Sequence, residues 1–301
     1  MDTAVRQHVT AQVYEESRDI YSGGARWEEL PTTKGPSFAW RGDSTYVGQS
    51  PFISARKHGV SILNAAPLLV LGDNITTDHI SPVGPIPGQG PAADFLRARG
   101  IAHTDFNSFG ARRGNADVMI RGTFANPRLK NELVNVEGPF TVGPSGAVMS
   151  IFDAAEYYRR VGTPLVIVAG QNYGAGSARD WAAKGTYALG VRAVIAESFE
   201  RIHRANLVLM GVLPLQLAAP ATKASLAIDA RSRITINLPE TIAPRQTIEI
   251  AIDHPVLGRK AVVALARIDT AVEVNYFLQG GVLPAVMKKM AGAEARQTGA
   301  D

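Results

Sequence analysis

The sequence has no cysteine in its 301 residues. That excludes disulfides, thiolate zinc sites, a cysteine nucleophile and any iron–sulfur cluster held by this chain alone. Long hydrophobic runs are missing too. The most apolar stretch, residues 207–217, is broken by Gly211, Pro214 and Gln216 and is too short to span a bilayer. Residues 1–10 mix charge with polarity and carry no apolar signal core, so a cytoplasmic location without membrane attachment is expected. Neither sign of charge dominates. Lys+Arg number 31 and Asp+Glu 27, a net +4 that does not by itself imply nucleic acid. Internal repeats and low-complexity tracts are absent.

What is present describes a folded protein. Hydrophobic residues make up 46% and charged residues 19%, a composition that does not fit disorder. The length allows one large domain or two small ones, with a full core. Charge is concentrated in one place. Arg97, Arg99, Arg112, Arg113, Arg121, Arg128 and Lys130 share their stretch with only Asp105 and Asp117. This reads either as a solvated face or as a site for a polyanion or a carboxylate-rich metabolite.

The first sixty residues predict a polar helix over 3–20 and then an extended segment. Gly23-Gly24, Pro31, Pro36 and Pro51 interrupt 21–60, and its aromatics (Trp27, Phe38, Trp40, Tyr46, Phe52) suit a segment lying over another surface. From Pro67 the pattern changes. Leu68-Leu69-Val70-Leu71 is a continuous apolar run suited to a strand buried on both faces, ended by the turn Gly72-Asp73-Asn74. Residues 92–99 read as a short helix closed by Gly100. Residues 153–161 read as a helix, and Leu165 to Ala169 as a buried strand. A helix over 178–189, a strand over 191–196, a helix capped by Ser198 and a strand over 212–217 follow. Connections of this length favour parallel strands with right-handed crossovers. Beyond Ala230 the pattern turns mainly to strand, at 233–238, 247–252 and 260–266, before a closing helix near 283–290. The fold class is α/β, with mostly parallel strands plus a C-terminal β-rich portion.

The loop Gly174-Ala175-Gly176-Ser177-Ala178-Arg179 joins a buried strand to a helix. Glycines there let backbone N–H groups approach an anion, and the helix start adds positive potential. Arg179 can offer a bidentate fork to a carboxylate or phosphate. Three readings compete. Ser177 could simply cap the helix. Gly174-x-Gly176 with Glu197 could be a dinucleotide fingerprint, although Arg179 stands at the third glycine position. Ser177 could instead be a catalytic serine in a carboxylate site. Thr76-Thr77-Asp78-His79 also follows a buried strand, at the sheet edge where α/β folds bind ligands.

Several motifs, in order, resemble the C-terminal domain of the aconitase family. They are Thr76-Thr77-Asp78-His79-Ile80-Ser81-Pro82, residues 106–115 (Phe106 to Asn115), Arg121-Gly122-Thr123-Phe124-Ala125-Asn126, Gly174 to Gly185 with Trp181, and residues 197–204 from Glu197 to Arg204. The resemblance runs from about Trp27 to Met290. It implies an aconitase-type swivelling β/β/α domain over 63–301, with 1–62 resembling the interdomain linker. It further implies a [4Fe-4S] cluster in the complete enzyme with no ligands in this chain, which agrees with the absent cysteines. The partners it implies are the cluster-bearing domains 1–3, in the same polypeptide or a separate subunit, and a tricarboxylate substrate.

In that family a hydroxy-tricarboxylate and its dehydrated alkene interconvert. The resemblance makes Ser177 the base that removes the carbon-bound proton and Asp78 an active-site aspartate. Arg99 and Arg179 become substrate-binding arginines. Ala178 replaces a second serine, so only its backbone remains for substrate. His79, Arg112 and Arg113 are expected to be structural. Residues 72–75 and 125–132 look closer to the iron–sulfur 2-methylcitrate dehydratase branch, which makes 2-methylcitrate the second candidate substrate. An iron-regulatory-type RNA-binding module and a catalytically silent relative also stay open. RNA is disfavoured, because only Phe106, Phe109 and Phe124 could stack within the basic stretch.

Overall fold

The computed structural model describes residues 24–30, 35, 37–53, 61–177 and 179–297, with 292–297 as backbone. The helix expected over 3–20 lies outside them. The chain divides into two units, Met1–Arg41 and Gly42–Asp301. In the first, Ala25–Glu28 forms a single helical turn, α1. Phe38 and Trp40 meet there edge to face at 4.9 Å.

The second unit contains, in chain order, β1 (Ile62–Val70), α2 (Thr77–Ile80), α3 (Pro91–Arg97), α4 (Ala116–Gly122), β2 (Phe140–Val142), β3 (Val148–Ser150), α5 (Ile151–Arg160), β4 (Leu165–Ala169), α6 (Asp180–Ala188), β5 (Val191–Ala196), α7 (Arg201–Leu209), β6 (Leu213–Leu217), α8 (Lys223–Leu226), β7 (Arg233–Ile236), β8 (Thr247–His254), β9 (Gly258–Ala266), α9 (Ala271–Leu278) and α10 (Val282–Gln297). Seven strands form a closed barrel in the order β1-β4-β5-β6-β9-β8-β7. β1, β4, β5 and β6 pair in parallel. The other four pairings are antiparallel. The C-terminal strands therefore complete the parallel sheet instead of forming a separate layer. Closure leaves β1 and β6 without the unpaired N–H and C=O rows of an open edge.

β4 shows why an unbroken apolar run belongs here. Its side chains alternate between two buried faces. Leu165, Ile167 and Ala169 join a cluster with Ala154, Ala155 and Tyr158 of α5 and Ala182, Ala183 and Tyr187 of α6. Val166 and Val168 join the cluster of Ile234, Ile236, Ile250 and Leu215 in the barrel. β1 is longer than its apolar run suggests. It begins at Ile62, passes Asn64 at φ +52°, and contains Pro67. Pro67 cannot donate to a ladder, and it sits where the register with β4 shifts. These two residues hide the first half of the strand in the sequence.

Two helix starts differ from the sequence reading, α5 beginning at Ile151, two residues before the expected 153. Ser150 caps α5, its hydroxyl accepting the Asp153 N–H at 3.0 Å. α7 is capped by Glu200 instead of Ser198: Oε2 accepts the N–H groups of Ile202 (2.7 Å) and His203 (2.9 Å). The Ser198 hydroxyl is turned away, accepting the Asn172 N–H at 2.7 Å.

Four of the seven cations of the basic stretch are paired or buried, while Arg99, Arg113 and Arg128 are exposed. Arg97 pairs with Asp94, Arg121 with Asp117 and Lys130 with Glu137. Arg112 is 1% exposed. Its guanidinium donates to the carbonyls of Phe106 (2.7 Å), Thr45 (3.0 Å) and Asp105 (2.9 Å) and to the Thr45 hydroxyl (2.7 Å). It also stacks on Tyr46, 4.0 Å from the ring centre. This ties residues 45–46 to the body of the second unit. Phe52 is buried beside Trp181 and Tyr187. Tyr46 and Phe52 thus find their surface within this unit. No helix among the described residues is long and apolar enough to cross a membrane.

Candidate active site

Past the C-terminal ends of β1, β4 and β5 the chain turns, and the parallel order then resumes. The Gly174 N–H donates to the Ile75 carbonyl (2.7 Å) and the Thr77 N–H to the Ala175 carbonyl (2.8 Å). On the other side, the Tyr173 N–H reaches the Ser198 carbonyl (3.0 Å) and the Glu200 N–H the Tyr173 carbonyl (2.9 Å). Three loops are thereby fastened side by side at the sheet edge where ligands bind in α/β folds. The turn of β1 supports that of β4: Asp73 accepts the Gln171 N–H at 2.7 Å, and a Cβ on Gly170 would overlap its carboxylate.

The glycines of the β4 loop have separate reasons. Gly174 has φ +86°, and a Cβ there would lie 2.2 Å from His203 Cδ2 and 2.3 Å from Cγ. Gly176 has φ +98° with room around it, so its requirement is conformational. Beneath Gly174 the His203 ring is buried, and neither of its nitrogens has a hydrogen-bond partner among the described residues. Burial lowers its pKa from 6.5 to about 4, so the imidazole is neutral at neutral pH.

Ser177 is exposed at the mouth of this turn. It does not cap α6: the capping position is Arg179, which makes no side-chain capping bond, and the Trp181 N–H at that helix start donates to the Asp180 carboxylate at 2.9 Å. Its carbonyl accepts the hydroxyl of Thr77 at 2.7 Å. Arg179 is held across the loops by Asp78, through Nη1, which also donates to the Ser81 carbonyl at 3.1 Å. Its Nε and Nη2 have no protein partner among the described residues. The guanidinium is mostly buried, with 20% of the side chain exposed, whereas Asp78 is 61% exposed. A second bond fixes this corner, from the Asn126 amide to the Asp78 carbonyl at 3.1 Å.

The structure thus brings Ser177, Asp78 and Arg179 together. Arg99 is not bonded to them. Its guanidinium lies flat over Phe95, 3.6 Å from the ring centre, and donates to the Phe95 carbonyl at 3.5 Å. Ala178 lies outside the described residues. His79 is occupied locally, its Nδ1 accepting the Thr76 N–H at 3.1 Å. Glu197 accepts the Lys223 N–H at the start of α8 at 2.8 Å, beside the cap supplied by Thr222. That removes the ribose acid from the dinucleotide reading, and Arg179 turns its side chain toward Asp78. Two residues went unnoticed in the sequence. Thr77 was one letter of a motif without a role, and nothing near His203 signals that its ring lies under a glycine thirty residues away.

An iron–sulfur cluster does not fit the donors available. There is no cysteine, and among the described residues no group of three or more His, Asp or Glu could hold a metal. The site offers instead an exposed serine at the end of the glycine turn and an anchored guanidinium with a free edge, a set suited to a carboxylate-bearing ligand.

Residues 92–220 match the family model of the aconitase C-terminal domain. The chain is 46% identical over 294 residues to an aconitate hydratase A of Deinococcus radiodurans, covering 96% of this chain and 32% of that protein. It is 43% identical over 293 residues to an aconitate hydratase A of Escherichia coli, covering 95% of this chain and 33% of that one. The chain spans about a third of the length of these relatives. A crystal structure of a 3-isopropylmalate dehydratase from Methanocaldococcus jannaschii aligns over 79% of this chain and 99% of its own, at 18% identity and a TM-score of 0.42. The matched segment, residues 92–220, contains the glycine turn, Ser177 and Arg179, and it is this segment that belongs to the aconitase C-terminal domain family.

Proposed function

We propose that this chain supplies the base and part of the substrate cradle of a cytoplasmic hydro-lyase of the aconitate hydratase type, interconverting citrate, aconitate and isocitrate. Residues 63–301 act as the swivelling domain, led by 1–62. The [4Fe-4S] cluster belongs to the remaining domains, in the same polypeptide or a partner subunit. The observation that carries this reading is the exposed Ser177 at the end of the glycine turn, two residues before an arginine whose guanidinium Asp78 anchors by one nitrogen.

Serine is a poor base unless its alkoxide is stabilised. The Asp78-anchored guanidinium of Arg179 supplies positive charge for that alkoxide, and the start of α6 lies three residues on, its Trp181 N–H already taken by the Asp180 carboxylate at 2.9 Å. Anchoring Nη1 of Arg179 leaves Nε and Nη2 as an edge for one substrate carboxylate. The carbon-bound proton passes to the Ser177 oxygen. Arg99, whose guanidinium lies over Phe95, is assigned to a second carboxylate of the bound tricarboxylate. Ala178 offers only its backbone, so the contact made by a serine hydroxyl in relatives is lost. One neutral hydrogen bond is worth about 1–1.5 kcal/mol, or roughly five- to tenfold in rate if it forms in the transition state.

The test joins the chain to cluster-bearing domains and measures aconitate hydration. Ser177→Ala should abolish turnover while leaving circular dichroism and the unfolding midpoint unchanged. Retained turnover would remove Ser177 as the base. Running 2-methylcitrate beside citrate decides the substrate without altering the roles.

A further inference from the structure

We propose that Thr77 is the positioning residue for Ser177. The inference deepens the reading of Ser177 as base and rests on it for its catalytic consequence. Thr77 is 1% exposed. Its N–H donates to the Ala175 carbonyl at 2.8 Å, and its hydroxyl donates to the Ser177 carbonyl at 2.7 Å. One residue therefore grips the chain on both sides of Gly176, the hinge with φ +98°. The parallel pairing ends at Ala175. Among the described residues no other hydrogen bond reaches Gly176 or Ser177. Without the hydroxyl, the stretch between Ala175 and α6 is free to pivot about a glycine, which offers the least resistance of any residue.

The anchor itself is stiff. Thr77 is β-branched, so its χ1 has few alternatives, and its backbone opens α2. The neighbouring residue of α2 is Asp78, which holds Arg179. A single helical turn thus sets both groups: Thr77 places the carbonyl of Ser177, and Asp78 places the guanidinium. Fixing a carbonyl fixes the peptide plane on which the side chain stands, and so limits the arc the Ser177 hydroxyl can sweep relative to Arg179.

The chain's lack of cysteine makes the test specific, because Ser177→Cys introduces its only thiol. In the full-length chain, the S177C thiol is titrated by its alkylation rate against pH. It should ionise below the usual ~8.5 of a free thiol. Thr77→Val should move the titration back toward that value, and Thr77→Ser, which keeps the hydroxyl, should not. If Thr77→Val does not fold, Thr77→Ala replaces it. With cluster-bearing domains present and Ser177 intact, Thr77→Val should lower kcat about tenfold or more at little-changed KM, the size expected of a misplaced reacting group. Thr77→Ser should recover it. Identical thiol titrations with Thr, Val and Ser at position 77 would overturn the proposal. Turnover surviving Ser177→Ala would instead defeat the base assignment, and the titration would still decide Thr77.

Discussion

Replacing Gly174 by alanine tests the contact that seats the serine loop on α7. The added Cβ would lie 2.2 Å from Cδ2, 2.3 Å from Cγ and 2.5 Å from Cβ of His203. Those separations are far inside van der Waals contact, so the imidazole or the loop must move. Two costs add. Holding a non-glycine residue at φ +86° costs about 1–2 kcal/mol. Forcing a carbon into a packed site costs typically about 1–3 kcal/mol. Gly174→Ala should therefore destabilise the second unit by about 2–5 kcal/mol, read from the urea midpoint at unchanged slope. His203→Ala separates the two costs, because it removes Cγ and Cδ2 and leaves only the Cβ contact. The double variant should be more stable than the sum of the single effects by about 1–2 kcal/mol, since the overlap with the ring is gone while the backbone cost and the 2.5 Å approach of the His203 Cβ remain. Additivity within about 0.5 kcal/mol would refute the argument, because it would mean that the ring and the glycine do not meet.

The same histidine predicts a pH dependence. Its folded pKa is lowered by burial from 6.5 to about 4. Above pH 6.5 it is neutral in both states. As pH falls below 6.5 the unfolded chain gains a proton that the native chain refuses until about pH 4. Stability should decline across that window, by at most about 3 kcal/mol from this group. His203→Phe should flatten the difference between urea midpoints at pH 7 and pH 4.5; an unchanged slope would show that other groups cause it. Arg112→Lys should be costly despite keeping the charge. An ammonium cannot span four acceptors in a guanidinium's plane or stack on Tyr46. Buried carbonyls of Phe106 and Thr45 would lose their donors, for a loss of about 2–4 kcal/mol in the same denaturation assay. A midpoint within error of the parent chain would show that water replaces the fork.

Some of this molecule was legible in one dimension. Strands β4 and β5 appear as apolar runs because each alternates between two buried faces, and a run of five or six residues carries that information by itself. The glycine turn with its serine and arginine lies within six residues, and the missing cysteines alone removed any cluster from this chain. What the tertiary structure decided involves residues far apart. Asp78 and Arg179 are separated by 101 positions, and the Asn64 N–H meets the Thr235 hydroxyl across 171 where the barrel closes. Seven basic residues look like a patch along the chain, yet in space four of them are neutralised or removed from it, Arg97, Arg121 and Lys130 by Asp94, Asp117 and Glu137 and Arg112 by burial. Glu197 and Ser198 exchanged expected roles for others because helix starts accept whichever oxygen the packing delivers. Periodicity and turn chemistry are set by contacts a few residues apart, whereas partners at longer range are chosen by which surfaces can be buried together.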